Sequence, residues 1–149
     1  MAIELHPIGY VRSPYKKQGD APRQGRLSDT VSEIAIDPKY RNALLDLEKN
    51  KHIFVLSWFA KADRNRLRAI PPHDTKEHGV FAIRSPDRPN PVALCLVDLL
   101  GIEDGVLRVR GLDAFDGTPV IDIKPFFADI DCPEGIGAQE PLKKVQELY

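Results

Sequence analysis

Residues 84–91, Arg-Ser-Pro-Asp-Arg-Pro-Asn-Pro, constrain the fold more than any other stretch of the sequence. The three prolines fix the backbone φ angle and remove hydrogen-bond donors, so the segment cannot form a helix or the middle of a strand. Apolar, β-prone runs flank it at residues 79–83 and 92–100. The pattern therefore predicts a stiff loop that joins two buried strands.

This loop would hold the polar side chains of Arg84, Arg88 and Asn90 in fixed positions. Side chains that are already fixed lose less conformational entropy when they bind an anionic or polar ligand. A plainer interpretation stays open, in which the loop is a rigid connector and its arginines meet only surface carboxylates.

Composition and charge limit the class of protein. A chain of 149 residues, 29% charged and 42% hydrophobic, is long enough for one domain with its own core. The formal net charge of −1 argues against tight nonspecific nucleic-acid binding but allows a local basic patch. No apolar run reaches the ~20 residues of a membrane span, and no signal-peptide pattern opens the chain. We predict a soluble, cytoplasmic protein.

The two cysteines and four histidines do not have the spacing of a metal site. Cys95 lies in an apolar run and is expected to be a small core residue. A disulfide with Cys132 is possible on count alone, although nothing indicates secretion. We predict no structural metal.

Strand patterns dominate the rest of the chain, and one clear helix start stands among them. Asp37 followed by Pro38 is typical of a capped helix, and Tyr40, Leu44 and Leu47 follow at helical spacing, to about residue 50. Leu142, Val145 and Leu148 suggest a short C-terminal helix, after a loop over 128–137. The strands are expected at residues 8–12, 31–36, 52–60, 92–102, 106–112 and 120–126, that at 52–60 being buried on both faces.

Short turns join several of these strands. Glu103-Asp104-Gly105 predicts a hairpin, and residues 113–119 predict a second turn. The chain is therefore expected to be mainly β, a small and mostly antiparallel β-barrel with one amphipathic helix and a short C-terminal helix.

Arg64, Arg66 and Arg68 occupy alternate positions in a segment that we expect to be extended, which would project them to one side. Two interpretations stay open. The arginines either form a solvated face or contact phosphates, since a guanidinium suits bidentate phosphate recognition.

Several common chemistries lack their motifs. The sequence has no phosphate-binding G-x-x-x-x-G-K-[ST] loop, no G-x-G-x-x-G after a strand and no G-x-S-x-G nucleophile elbow. Kinase, dinucleotide-binding and serine hydrolase functions are therefore not indicated.

Several strings, in this order along the chain, resemble the TrmO (also TsaA-like or YaeB-like) family. They are residues 8–16 (IGYVRSPYK), 22–24 (PRQ), 47–48 with His52, 79–82 (GVFA), 84–85 with 88–91 (RPNP), 116–120 (DGTPV) and 122–125 (DIKP). The resemblance implies a single-sheeted β-barrel that binds S-adenosylmethionine without a Rossmann domain, in a homodimer. It also implies methyl transfer to N6 of the threonylcarbamoylated adenosine beside the tRNA anticodon.

The same resemblance assigns cofactor contacts. It places them at Arg23, Gln24, Ala60, Lys61, Arg84, Leu112, Asp116, Gly117, Thr118 and Pro119. An arginine can hold the methionine carboxylate bidentately, and an Asp-Gly turn offers a carboxylate and open backbone to adenine or ribose. Because transfer from a sulfonium has an excellent leaving group, alignment and water exclusion should supply most of the acceleration.

Three features depart from the family pattern. Ala60 stands where many members have histidine, residues 93–95 replace a Gly-x-Ser pattern, and no extra C-terminal domain is expected after Tyr149. With the histidine missing, we expect Asn90 to orient the acceptor base and Asp113 to accept or relay its proton. The alternative that Asp113 only caps the turn stays open.

RNA is expected to lie along a set of basic side chains, namely Arg64, Arg66, Arg68, Arg88 and Lys124. Two other functions stay open beside tRNA methylation. One is a non-catalytic module that binds S-adenosylmethionine or RNA, and the other is a methyltransferase with a different acceptor.

Overall fold

The computed structural model describes residues 1–16 and 29–133. Two compact units contain them. The first combines Met1–Ala60 with Val92–Phe126, and the second combines Lys61–Pro91 with the segment that begins at Phe127. In the described ranges, no helix has the length and apolar character needed to cross a membrane.

The first unit is a closed β-barrel whose neighbouring strands all run antiparallel, in the order β1-β2-β7-β6-β3-β8. This confirms the predicted mainly β, antiparallel barrel. The strands of the chain are β1 (Gly9–Arg12), β2 (Val31–Ile36), β3 (His52–Trp58), β4 (Arg68–Ala69), β5 (His78–Gly79), β6 (Val92–Glu103), β7 (Val106–Arg110) and β8 (Pro119–Pro125).

The strand register places alternate branched side chains inside the barrel. Val11 lies opposite Ile34, and Ile34 lies opposite Leu107 on its other side. Val55 of β3 lies opposite Cys95 of β6. All five side chains are buried, so Cys95 is a core residue as predicted. Burial of one face of every strand is what holds the register, because a slip of one residue would expose the whole set.

The β6–β7 hairpin turns at Asp104 and Gly105, whose φ angles of 50° and 75° are both left-handed. Two successive left-handed residues make the tight turn whose twist matches that of the flanking strands. The hairpin predicted from Glu103-Asp104-Gly105 is therefore confirmed.

The helical segment after β2 begins where it was predicted. The Asp37 carboxylate accepts a hydrogen bond from the backbone N–H of Lys39, and Pro38 occupies the first turn. The segment is not one amphipathic helix but two short 3-10 helices, Pro38–Leu44 and Leu47–Lys49, because the backbone leaves the helical region at Leu45 and Asp46. Tyr40, Leu44 and Leu47 still pack against the barrel core.

The second unit contains little regular structure. β4 and β5 pair as a two-residue antiparallel ribbon, and the 3-10 turn Val80–Ala82 follows directly. The prediction of a strand over residues 79–83 is therefore wrong except at Gly79, which ends β5. Only Val80 and Ile83 of this run are buried, so it has no continuous apolar face to place in a sheet.

Two further expectations are corrected. β3 is fully buried only on the face of Ile53, Val55 and Ser57, because a barrel encloses one face of each strand and the other face is half-buried. Residues 128–131 form a one-turn helix, α1 (Ala128–Asp131), rather than loop, and the Asp131 carboxylate accepts from the Phe127 N–H. The expected helix around Leu142, Val145 and Leu148 lies outside the described residues.

Candidate functional site

The Asp116 turn joins β7 to β8 and is braced by its own N–H groups. Asp116 N donates to Tyr15 O, Gly117 N donates to Val11 O, and Thr118 N donates to Phe115 O, over 2.7, 2.7 and 3.1 Å. The buried Thr118 hydroxyl also donates to Phe115 O. The turn is therefore held rigidly against β1 before any ligand arrives.

The Asp116 carboxylate has two partners from the start of the chain. Its Oδ2 lies 2.9 Å from Lys16 Nζ, and its Oδ1 accepts from the backbone N–H of Ser13 over 3.0 Å. The hydrogen bond from Lys16, followed by that from Ser13, lowers the pKa of Asp116 below its usual value, while partial desolvation opposes them. Asp116 is thus held as a carboxylate.

What the turn can offer a ligand follows from these contacts. A carboxylate has about four lone-pair positions, of which Lys16 and Ser13 use two. Gly117 has a φ of 84°, and open space surrounds the position of a Cβ atom there. Because the N–H groups are occupied, a ligand would meet acceptor oxygens. Such a surface suits amino groups, hydroxyl groups and cations.

Asp113 lies at the approach to this turn and contacts a core thiol. The Sγ–H of Cys95 donates to Asp113 Oδ1, which links the carboxylate to β6. Asp113 is only half-buried, whereas the neighbouring Leu112 packs in the barrel core. Any cofactor contact of Leu112 would therefore use its backbone.

In the second unit, Arg88 holds the proline-framed loop together. Its guanidinium donates to Val80 O and, over 3.0 Å, to Ile83 O, so it closes the loop onto the 3-10 turn. The adjacent Asp87 accepts from the Asp63 N–H over 2.9 Å. Arg88, which was predicted to contact RNA, therefore also stabilises the loop by hydrogen bonds within the protein.

Arg64 and Asn90, both predicted from the sequence, lie in direct contact. Arg64 Nη2 donates to Asn90 Oδ1 over 3.1 Å, and Arg64 Nε donates to Pro89 O over 2.7 Å. Since a guanidinium can only donate, the oxygen of the Asn90 amide must face Arg64. The NH₂ group of Asn90 has no partner within residues 1–16 and 29–133, and it is left to donate to a ligand.

The other basic candidates are exposed. Arg66 lies 3.7 Å from Asp63 and Arg68 lies 3.8 Å from Glu77. On the barrel, Lys124 of β8 pairs with Asp122 over 2.9 Å. Arg64 lies in a turn whereas Arg68 lies in β4, so the three arginines do not share one extended segment as was expected.

The predicted cofactor contacts fall into two sets. The barrel unit contains Ala60, Leu112, Asp116, Gly117, Thr118 and Pro119, and the second unit contains Lys61 and Arg84, which are both exposed. Arg23 and Gln24 lie outside the described residues. A groove of about 350 Å³ beside the β6–β7 hairpin is lined by other residues, with none of the described candidates among them.

Three residues that contact the candidates, Lys16, Ser13 and Cys95, were not predicted as their partners from the sequence. Lys16 and Ser13 partner Asp116 from about a hundred positions away, and Cys95 partners Asp113. His78 and Asp74 form an imidazole–carboxylate pair at 2.6 Å. Their spacing of four residues was the one available signal. The described residues contain no cluster of His, Cys, Asp or Glu able to hold a metal ion.

A family model described as the tRNA-methyltransferase O N-terminal domain matches residues 10–132 of the chain. The chain belongs to this TrmO family. The match covers the barrel strands from residue 10 onward and the proline-framed loop, which confirms the resemblance inferred from the motif strings.

Individual relatives agree with the family match. The chain is 55% identical over 137 residues to a protein of Archaeoglobus fulgidus named S-adenosyl-L-methionine-binding protein, covering 92% of this chain and 99% of that one. It is 34% identical over 148 residues to the mouse tRNA (adenine(37)-N6)-methyltransferase, covering 94% of this chain but 34% of that one.

The fold is likewise that of solved TrmO structures. The crystal structure of TrmO from Pseudomonas aeruginosa superposes with a TM-score of 0.76 at 34% identity, covering 90% of this chain and 60% of that one. The chain therefore spans about three fifths of the length of that TrmO chain.

Proposed function

We propose that the protein is an S-adenosylmethionine-dependent methyltransferase that acts on tRNA. The observation that carries the proposal is the match of residues 10–132 to a family named for a tRNA methyltransferase. The name of the Archaeoglobus relative supports the cofactor, and the name of the mouse relative supports the substrate.

The chemistry of the Asp116 turn supports the cofactor. Its remaining acceptor oxygens suit the amino and hydroxyl groups of an adenosine, and its ionised carboxylate favours a cationic sulfonium nearby. The family resemblance places Arg84 among the cofactor contacts, and a guanidinium can bind the methionine carboxylate bidentately. S-adenosylmethionine supplies the methyl group, and the protein supplies orientation and exclusion of water.

The acceptor that we propose is N6 of the threonylcarbamoylated adenosine beside the tRNA anticodon. The fixed amide of Asn90 presents an NH₂ group that can donate to an acceptor atom of a base. An N6 atom that carries a carbonyl substituent is a poor nucleophile while it keeps its proton. We assign Asp113 to accept or relay that proton.

A second function is favoured by one specific observation. The relative that is 55% identical is named for binding S-adenosylmethionine, without a methyltransferase activity in its name. The chain would then hold the cofactor as a ligand without transferring its methyl group.

The test uses labelled S-adenosylmethionine, the purified protein and tRNA that carries threonylcarbamoyladenosine. Mass spectrometry of the digested nucleosides should find the label on that nucleoside, and tRNA that lacks the modification is the matched control. Calorimetric heat of cofactor binding without any labelled nucleoside would favour the binding module. Label on another base would reassign the acceptor.

We also propose that the protein acts as a homodimer, as the family resemblance implies. In a two-fold assembly, each copy can complete the binding surface of the other.

A further inference from the structure

Phe81 is the most exposed aromatic side chain in the part of the chain that the structure describes. Its relative exposure is 86%, on the 3-10 turn Val80–Ala82 of the second unit. Leu67 is 67% exposed. Val80 N donates to Leu67 O over 3.0 Å, which places Leu67 next to the Phe81 turn. We call Phe81 and Leu67 the Phe81 patch.

The turn that presents Phe81 is fixed on both sides. Arg88 donates to the carbonyl oxygens of Val80 and Ile83, the residues that bracket the ring position. Val80 and Ile83 are themselves buried. Just before the turn, Gly79 pairs with Arg68 in the β4–β5 ribbon. Because the backbone around Phe81 is fixed, only the side-chain rotation of the ring is lost when a flat partner stacks on it.

The surroundings of the Phe81 patch are basic. Segment Lys61–Pro91 contains seven Lys and Arg residues against four Asp and Glu residues, a formal charge of +3 in a chain whose total is −1. Arg66 and Arg68 flank Leu67 directly. Their ion pairs with Asp63 and Glu77 are long, at 3.7 and 3.8 Å, and exposed, so that phosphates can compete for them.

We propose that Phe81 is a stacking platform for an unpaired nucleobase of RNA, whose phosphates lie on Arg66 and Arg68. This inference rests on the proposed function, because the RNA that would stack on Phe81 is the tRNA substrate. Exposed aromatic rings beside a basic surface are the usual means of holding single-stranded bases. A second copy of the chain fits this face less well, because a two-fold contact would bring the same positive surface against itself.

The test measures binding of a short single-stranded RNA that contains the fluorescent adenine analogue 2-aminopurine. The wild-type protein should bind it and quench its fluorescence. Phe81→Leu keeps the size and apolar character but removes the aromatic face, and it should weaken binding about tenfold and abolish the quenching. Phe81→Trp should retain both, and Leu45→Ala, which truncates an apolar side chain that is 82% exposed on the barrel unit, should change affinity less than threefold.

Each contrary result overturns the inference. RNA affinity of Phe81→Leu equal to wild type would exclude stacking, as would a wild-type protein that does not bind the RNA. A fall in the light-scattering mass of Phe81→Leu would make the Phe81 patch an interface between copies. Methyl transfer is measured separately on the same proteins. Quenching without any methylation would refute the proposed function alone, whereas methylation without dependence on Phe81 would refute this inference alone.

Discussion

At the scale of single residues, hydrogen-bond partners decide what each candidate can do. The donor-only guanidinium of Arg64 orients the Asn90 amide, so the free end of that amide is its NH₂ group. Cys95 fixes Asp113 in the same way, because its thiol donates to Oδ1 of that carboxylate. These hydrogen bonds therefore fix the orientation of the Asn90 amide and of the Asp113 carboxylate.

Asp113→Asn tests the proposed proton acceptor. The amide keeps the shape of the carboxylate but cannot take a proton, so turnover should fall ~100-fold or more while cofactor binding persists. Turnover is measured with labelled cofactor and modified tRNA, and binding by calorimetry. The matched control is Asp122→Asn, at a carboxylate on β8 that pairs only with Lys124 among the described residues. Unchanged turnover in a folded Asp113→Asn protein would leave Asp113 as a turn cap.

Asp116→Asn tests the ion pair that braces the turn. Contacts with Lys16 and Ser13 lower the pKa of Asp116 in the folded state, so its carboxylate stabilises the fold above the unfolded pKa of about 4. This stabilisation should be lost as the pH falls through the lowered pKa. Melting temperatures of the wild type and the variant should therefore differ near neutral pH and converge in acid. A difference that persists at the lowest pH would contradict the assignment.

At the scale of elements, the proline-framed loop is stiff for two reasons. Its prolines restrict the backbone, as the sequence indicates, and its polar side chains are tied to neighbouring segments. Arg88 binds the carbonyl oxygens of residues 80 and 83, and Asp87 and Asn90 bind residues 63 and 64. Arg84, at the exposed start of the loop, is the arginine that the family resemblance assigns to the cofactor.

Arg88→Ala and Arg84→Ala separate these two roles. Loss of the charged donors of Arg88 should cost about 1.5–3 kcal/mol of stability and speed proteolysis within residues 80–91. Arg84→Ala should cost less stability but weaken S-adenosylmethionine binding by about tenfold or more. Thermal unfolding, limited proteolysis and calorimetry give the three readouts. Equal stability losses in the two variants would show that both arginines are structural.

At the scale of the whole molecule, charge is distributed unevenly along the chain. The barrel unit provides the ionised Asp116 turn, and segment Lys61–Pro91 concentrates the positive charge. An overall charge of −1 therefore does not argue against an RNA substrate, because phosphates respond to the local field.

The proposed homodimer is tested by light scattering across a wide range of protein concentrations. The expected mass is about twice the 16.7 kDa of one chain. Weak association would appear as a rise in mass with concentration, since dimerisation follows mass action. A constant monomer mass at all concentrations would refute the homodimer.

The sequence by itself determined the elements whose signals are local. Apolar runs rich in branched residues predicted the barrel strands, Glu103-Asp104-Gly105 predicted the β6–β7 turn, and Asp37 with Pro38 predicted the start of the helical segment. Local sterics and capping are sufficient for these features. The sequence did not predict the break of that segment at Leu45 or the 3-10 turn at Val80–Ala82. Packing, rather than local propensity, selects these two features.

Only the tertiary structure decided which polar groups meet. Nothing local to Asp116 indicates that Ser13 and Lys16 hold it, nothing near Asp113 indicates Cys95, and the proximity of Arg64 to Asn90 depends on how residues 61–66 fold back. Such contacts join positions far apart in sequence, and they form because each polar group needs a partner once folding has removed part of its water.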